Sequence, residues 1–252
     1  LYIGAGWLVQ GSSALALKAK ISPLVVGLTI VAFGTSAPEL VVSLNATLSG
    51  QGDIAIGNIV GSNIFNIGVI LGVSATICPL QVKKQLLRID IPVMLAATVL
   101  FTILFWNGTL GRTEGLFFLT GIIIYTIFSL FYSRKHGTEG SSQELEEQPK
   151  HWAVDTLAIV GGLVVLVFAS RLLVDNAVSI AKELGVSEAV IGLTIVAAGT
   201  SMPELATSIV AAYKRKTDIA IGNIVGSNLF NILTIAGSCA LIHPIEAKNV
   251  NY

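Results

Sequence analysis

The sequence predicts an all-α membrane protein that crosses the bilayer several times and is built from two inverted-topology five-helix repeats. Apolar residues make up 53% of the chain and charged residues 12%, which is about half the charged fraction of an ordinary soluble domain. GLTIVAFGTSAPEL at 27–40 returns as GLTIVAAGTSMPEL at 192–205, and DIAIGNIVGSNIFNI at 53–67 returns as DIAIGNIVGSNLFNI at 218–232. Both blocks recur 165 residues later, so an internal duplication organises the chain.

Eight apolar segments approach the length of a bilayer-spanning helix, about 20 residues. In chain order they are 1–17, 23–48, 54–77, 91–106, 115–132, 152–173, 190–213 and 219–242. Because backbone groups find no water inside a bilayer, apolar segments of this length are predicted to be helical.

The basic residues of the loops divide unequally between the two faces of such a bundle. One face collects Lys18, Lys20, Lys83, Lys84, Arg88, Arg134, Lys135, Lys150, Lys214, Arg215 and Lys216. The other face collects Arg112, Lys182 and Lys248. By the positive-inside rule the first face is cytoplasmic, which places the start of the chain outside. The formal net charge of zero gives no indication of a nucleic-acid partner.

The duplication also predicts how the chain is divided. Residues 1–132 form the first repeat of five helices, the polar stretch 133–151 forms a cytoplasmic linker, and 152–252 form the second repeat. Since each repeat has an odd number of helices, the second enters the membrane from the opposite side. Complete symmetry requires ten helices in the full protein, so we expect about eight here, with the first clipped and the last two missing; a natural eight-helix form is the alternative.

The second and seventh spans each contain a glycine, a proline and a glutamate near the middle, as GTSAPE at 34–39 and GTSMPE at 199–204. Proline removes a backbone donor, so we expect a broken helix with free carbonyl groups near Thr35 and Thr200. A charged glutamate at the bilayer centre costs at least ~2.5 kcal/mol, and neither span holds a lysine or arginine at matching depth to offset it. A cation is therefore the expected partner of Glu39 and Glu204. The alternative is that both glutamates are protonated packing residues. The recurrence of the same motif in both copies argues against this alternative.

The third and eighth spans add further oxygen donors at the same depth. Ser62 and Asn66 are four residues apart and share a helix face, as do Ser227 and Asn231. Each asparagine is either a cation ligand or a hydrogen-bonding contact between helices. Carboxylate, amide and carbonyl oxygens suit calcium best, with sodium as a second hard cation.

At these residues the chain resembles the cation/calcium exchanger superfamily, and in particular prokaryotic sodium/calcium exchanger-like proteins. GTSAPE, GTSMPE and the paired GNIVGSN blocks are similar to its two α-repeats. The resemblance implies calcium held between Glu39 and Glu204 with the carbonyl groups of Thr35 and Thr200. It also implies sodium sites at Ala32, Ser36, Ala197, Ser201, Ser62 and Ser227. The first and sixth helices are expected to slide across the others to alternate access. The expected location is the cell membrane of a prokaryote.

These residues predict a secondary antiporter that moves calcium out of the cytoplasm in exchange for sodium, with no organic cofactor. Sodium-driven members often carry an aspartate where this chain has Asn231, so a proton-coupled calcium exchanger is the alternative. One chain contains both halves of the site, which requires no oligomer and favours a transporter over a passive cation channel. An enzyme is not expected, because Ser36 and Ser201 have no histidine or lysine base at their depth.

Overall fold

A computed structural model describes residues 1–136, 151–186 and 197–246, and within them the chain is nearly all helical. The helices are α1 (Tyr2–Lys18), α2 (Pro23–Thr35), α3 (Ala37–Leu48), α4 (Gly52–Ile77), α5 (Leu86–Leu104), α6 (Arg112–His136), α7 (Trp152–Glu183), α8 (Ala197–Thr200), α9 (Met202–Tyr213) and α10 (Thr217–Ile242). Two short strands are β1 (Thr109–Leu110) and β2 (Ile245–Glu246). The predicted all-α class is confirmed.

Five of the described helices, and one bent pair, are long and apolar enough to cross a membrane. Among the described residues, α4, α5, α6, α7 and α10 each pass the test of length and composition for a bilayer span, and α2 with α3 passes it as one bent span. The predicted first span forms the 17-residue helix α1. Of the predicted seventh span, α8 and α9 are described, and 190–196 lie outside the described residues.

Both predicted helix breaks fall where the glycine and proline motifs place them. Helices α2 and α3 meet at Ser36 with a bend of 47°, and Pro38 stands in the first turn of α3. The equivalent Ser201 separates α8 from α9, again with a proline in the first turn of the second helix. Since Pro38 has no N–H, the carbonyl of Gly34 receives no helical hydrogen bond from it.

Three helices extend further than the apolar pattern indicates. Helix α5 begins at Leu86 rather than Ile91, because Asp90 is buried and accepts a hydrogen bond of 2.9 Å from the hydroxyl of Tyr125. Helix α7 continues to Glu183, well past the predicted end of its apolar segment. Helix α6 continues to His136, so the first residues of the stretch predicted as a linker are helical, and 137–150 lie outside the described residues.

Helix α10 lies at the centre of the bundle and is almost entirely buried. It contacts α2 closely, because a Cβ atom on Gly222 would lie 2.5 Å from the carbonyl oxygen of Leu24. Helices α1 and α7 also approach each other closely, because a Cβ atom on Gly162 would lie 2.7 Å from the carbonyl oxygen of Gly4. Small residues at these crossings allow backbones to touch, as in other membrane bundles.

The loops gather at the two ends of the bundle in the way the predicted topology requires. At one end β1 pairs with β2 in antiparallel register, and residues 50–53 and 243–246 line one cavity. At the other end Lys83 forms an ion pair with Asp218, and Lys18 forms one with Asp155. Loops that the sequence assigns to one face therefore lie together.

Candidate cation-binding site

Two buried glutamates lie side by side at the centre of the bundle. Glu39 is in the first turn of α3 and Glu204 in the first turn of α9, each directly after a helix break. Both side chains are 1% exposed, and the two carboxyl groups are close enough to interact electrostatically. The duplicated motifs thus meet at one place.

The serines at the two helix breaks cross over between the repeats. Ser36 Oγ donates a hydrogen bond of 2.7 Å to Glu204 Oε1, and Ser201 Oγ donates one of 2.8 Å to Glu39 Oε1. Both serines are fully buried, so these hydroxyl–carboxyl bonds are shielded from water. Each repeat therefore orients the glutamate of the other.

A second crossing fixes the backbone around the breaks. Asn58 Nδ2 donates to the carbonyl oxygen of Glu39 at 3.1 Å and to Ser43 Oγ at 2.8 Å, while Asn58 Oδ1 accepts from Thr200 Oγ1 at 3.5 Å. The other repeat repeats every bond, at 3.3, 3.0 and 3.0 Å, with Asn223, Glu204, Ser208 and Thr35. Through Asn58, Thr200 just before the second break is thus linked to α3, the helix that follows the first break.

A third crossing links four asparagines of α4 and α10. Asn66 Nδ2 donates to Asn228 Oδ1 at 3.0 Å, and Asn231 Nδ2 donates to Asn63 Oδ1 at 2.9 Å. Both Asn66 and Asn231 are 1% exposed, and wider π-helical turns begin at or next to them, a feature often found at functional sites. Their amide nitrogens therefore serve as helix–helix contacts, and their oxygens remain available.

Six buried oxygen atoms of the predicted site residues have no hydrogen-bond partner. They are one carboxyl oxygen each of Glu39 and Glu204, the amide oxygens of Asn66 and Asn231, and the hydroxyl oxygens of Ser62 and Ser227. Buried polar atoms are rarely left unpaired, because losing water without a replacement costs about 1–3 kcal/mol each. Three of these oxygens come from each repeat.

Comparison with known families gives a direct assignment. The family model described as sodium/calcium exchanger protein matches residues 1–131 and 154–252. The chain belongs to this family.

Relatives within the sodium/calcium exchanger family include proteins named for different coupling ions. The inner membrane protein YrbG of Escherichia coli is 39% identical over 97% of this chain and 77% of its own length. The sodium/calcium exchanger MaX1 of Methanosarcina acetivorans is 31% identical over 98% of this chain and 81% of its own. The Ca²⁺/H⁺ antiporter ChaA of Bacillus subtilis is 28% identical over 93% of this chain and 73% of its own.

The fold is that of a solved family member. The sodium-calcium exchanger NCX_Mj, in crystals soaked with sodium and strontium, superimposes with a TM-score of 0.85 at 33% identity. The match covers 99% of this chain and 80% of that one. The all-helical membrane fold of this chain is therefore that of the exchanger family.

Of the two alanines predicted as sodium ligands, the structure describes the side-chain surroundings of Ala32 alone. Ala32 is buried, and its carbonyl oxygen already accepts hydrogen bonds from the Ser36 amide at 3.0 Å and from Thr35 Oγ1 at 3.4 Å. Ala197 begins α8, and its side-chain surroundings lie outside the described part of the chain. No group of three or more His, Cys, Asp or Glu side chains that could hold a metal ion occurs in the described ranges.

Sequence reasoning missed four asparagines of the site, namely Asn58, Asn63, Asn223 and Asn228. A signal was present, because each is a polar residue inside an apolar span and each recurs in the second copy. Polar side chains at membrane depth are expensive and normally functional. Their partners could not be read from spacing, since every one of their bonds to another helix depends on how distant segments pack.

Proposed function

We propose that this chain moves calcium out of the cytoplasm in exchange for sodium, by alternating access around a site built from Glu39 and Glu204. The observation that carries the proposal is the set of six buried, unpartnered oxygens to which the two repeats contribute equally. Calcium takes six to eight oxygen ligands from carboxylates, amides and carbonyls. The donor set fits that requirement, and membership in the sodium/calcium exchanger family supports it.

In this proposal the same oxygens serve two cargoes. Calcium takes the free carboxyl oxygens of Glu39 and Glu204 with the backbone carbonyl groups of Thr35 and Thr200. Sodium takes subsets of the donors at Ser36, Ser201, Ser62, Ser227, Ala32 and Ala197, with the amide oxygens of Asn66 and Asn231 nearby. A site with two carboxylates cannot cross the membrane empty at low cost. Calcium and sodium therefore exclude each other and cross in opposite directions.

The proposal includes an inverted repeat, with residues 1–132 as the first half and 152–252 as the second. Reciprocal bonds support it, because the serine–glutamate bonds and the asparagine–asparagine bonds between the copies each form a pair running in opposite directions. Alternating access would come from sliding of α1 and α7, the first and sixth helices, across the remaining bundle. The cell membrane of a prokaryote, with the start of the chain outside, is the proposed location.

The test uses purified protein in vesicles loaded with sodium, with uptake of calcium followed after dilution into sodium-free buffer. We expect Glu39→Gln and Glu204→Gln each to abolish uptake, because each removes one of the two buried charges. Glu183→Gln is the matched control, since Glu183 is exposed at the end of α7. Uptake that survives both buried substitutions would refute the assignment.

A proton-coupled calcium exchanger is the second candidate. It is favoured by Asn231, an amide that leaves the site with two carboxylates, and by the similarity to the Ca²⁺/H⁺ antiporter ChaA. Imposing a sodium gradient and a pH gradient separately on calcium-loaded vesicles distinguishes the two, because only the coupling ion drives calcium flux. We also expect Asn231→Asp to strengthen sodium dependence, and an unchanged sodium response would show that Asn231 is not a ligand.

A further inference from the structure

We propose that Asn63 and Asn228 are positioning residues that decide which end of the amides of Asn231 and Asn66 faces the cation. This inference rests on the proposed function, in which those two amides offer oxygen to calcium or sodium. It assigns a task to two side chains that have no free oxygen of their own directed at the glutamates. Each would act on the ligand of the opposite repeat.

The argument begins with the symmetry of an amide group. A side-chain amide has a hydrogen-bond donor and an acceptor of almost the same shape, so rotation by 180° exchanges them at little steric cost. Asn231 Nδ2 lies 2.9 Å from Asn63 Oδ1, and Asn66 Nδ2 lies 3.0 Å from Asn228 Oδ1. A rotated amide would place two oxygens against each other at that distance. The outer asparagines therefore hold both ligand amides with nitrogen outward and oxygen inward.

The outer amides are themselves held in one orientation. Asn63 Nδ2 donates to the backbone carbonyl of Asn228 at 3.4 Å, which cannot act as a donor in return. Asn228 Nδ2 lies 3.7 Å from the sulfur of Met94 in α5, and a thioether is also only an acceptor. In both outer residues the nitrogen is occupied and the oxygen is left for the ligand amide. The direction of each pair of bonds is thus fixed from outside the site.

The orientation of the Asn66 and Asn231 amides matters because the rotated orientation would satisfy the glutamates without an ion. A ligand amide that turned its N–H groups inward would direct donors toward the carboxyl groups of Glu39 and Glu204 and would oppose a cation. Removing the outer oxygen should therefore weaken cation binding while leaving the ligand residue itself in place. We expect a higher apparent KM for calcium rather than a lower maximal rate.

The experiment compares two substitutions at Asn63 by calcium uptake into vesicles. Asn63→Leu has a similar size but no acceptor, and we expect it to raise the apparent KM roughly 3- to 10-fold, the effect of losing one neutral hydrogen bond. Asn63→Gln keeps an oxygen acceptor for Asn231 and an N–H donor for the Asn228 carbonyl without adding a charge, and it should stay within about twofold of the wild type. An equal rise in KM for both variants would overturn the proposal.

A double-mutant cycle separates positioning from general packing. If Asn63 acts through Asn231, Asn63→Leu adds nothing to the KM of Asn231→Ala, whereas it multiplies the effect of Asn66→Ala, the ligand it does not touch. If Asn63→Leu raised the KM in the Asn231→Ala background as much as in the wild type, the positioning role of Asn63 would be refuted. If Asn63→Leu does not fold, Asn63→Ala takes its place with the same two outcomes.

The failure of this inference can be told from failure of the proposed function. Wild-type vesicles that show no calcium exchange under a sodium or a pH gradient would remove the proposed function itself. Wild-type exchange combined with independent effects at Asn63 and Asn231 would remove only the positioning role. The equivalent cycle of Asn228 with Asn66 repeats the measurement in the other half of the site.

Discussion

Replacing Gly226 with alanine should separate two helices that carry residues of the candidate cation site. A Cβ atom on Gly226 in α10 would lie 2.5 Å from the carbonyl oxygen of Leu28 and 2.7 Å from the Cβ of Ala32, both in α2. Neither atom can rotate away, because one belongs to the backbone and the other is fixed to it. Ordinary contact begins at 3.4 Å, so the helices must move apart by nearly 1 Å at this crossing.

The expected cost follows from that displacement. Overpacking typically destabilises a protein by about 1–3 kcal/mol, and three contacts below 3.0 Å place Gly226→Ala near the upper end. The better helix propensity of alanine offsets up to about 1 kcal/mol of this cost, so we expect a net loss of stability of about 2 kcal/mol. The site should suffer more, since Gly226 adjoins Ser227 and a misplacement of about 1 Å can reduce activity about 100-fold.

The assay pairs thermal unfolding of the purified protein with calcium uptake into vesicles. Gly121→Ala is the matched control, because it is the same substitution in a membrane helix and its Cβ would meet only Leu233 Cδ2, at 3.8 Å. We expect the control to unfold no earlier than the wild type and to transport normally. Equal stability and equal transport for Gly226→Ala and Gly121→Ala would refute the steric reasoning.

Three further predictions concern the site and its surroundings. Ser36→Ala and Ser201→Ala should each raise the apparent KM for calcium roughly 10-fold, because each removes a donor to a carboxyl group; a large difference between the two would contradict their equivalence. Acidification should raise the apparent KM for calcium, and saturating calcium should restore the rate, since protons and calcium compete for the two glutamates; a KM independent of pH would contradict this. Asp155→Asn should lower stability by about 1.5–3 kcal/mol because it removes the carboxylate of the Lys18–Asp155 ion pair, and adding Lys18→Met should recover part of the loss in thermal unfolding. A double variant less stable than Asp155→Asn alone would contradict the ion pair.

Much of the fold could be predicted because the bilayer simplifies the problem. An apolar segment of sufficient length must be helical in lipid, and the motif around Pro38 predicts where one of them bends. Helix ends were predicted less well. The charged residue Asp90 indicates the edge of a span, yet the structure buries it against Tyr125 and the helix begins earlier. Only the packing of α5 against α6 supplies that partner.

The charged residues of the candidate site could be predicted from the sequence, but the hydrogen bonds among its residues could not. Glu39 and Glu204 stand out because a carboxylate in an apolar span is costly and appears twice. The sequence leaves Asn66 and Asn231 open between ligand and helix contact, and the structure shows that the nitrogen of each amide makes the contact. Which end of an amide is occupied depends on neighbours from another repeat, and no local pattern carries that information.

The crossed serines make each half of the molecule incomplete by itself. Because Ser36 orients Glu204 and Ser201 orients Glu39, a substitution in one copy alters the surroundings of the other copy's carboxyl group. The two motifs are therefore free to change only together, although they lie 165 residues apart. The duplicated blocks differ at three pairs of positions, and all six residues there are apolar: Phe33 and Ala198, Ala37 and Met202, Ile64 and Leu229. Divergence within this chain has spared the polar residues through which one half depends on the other.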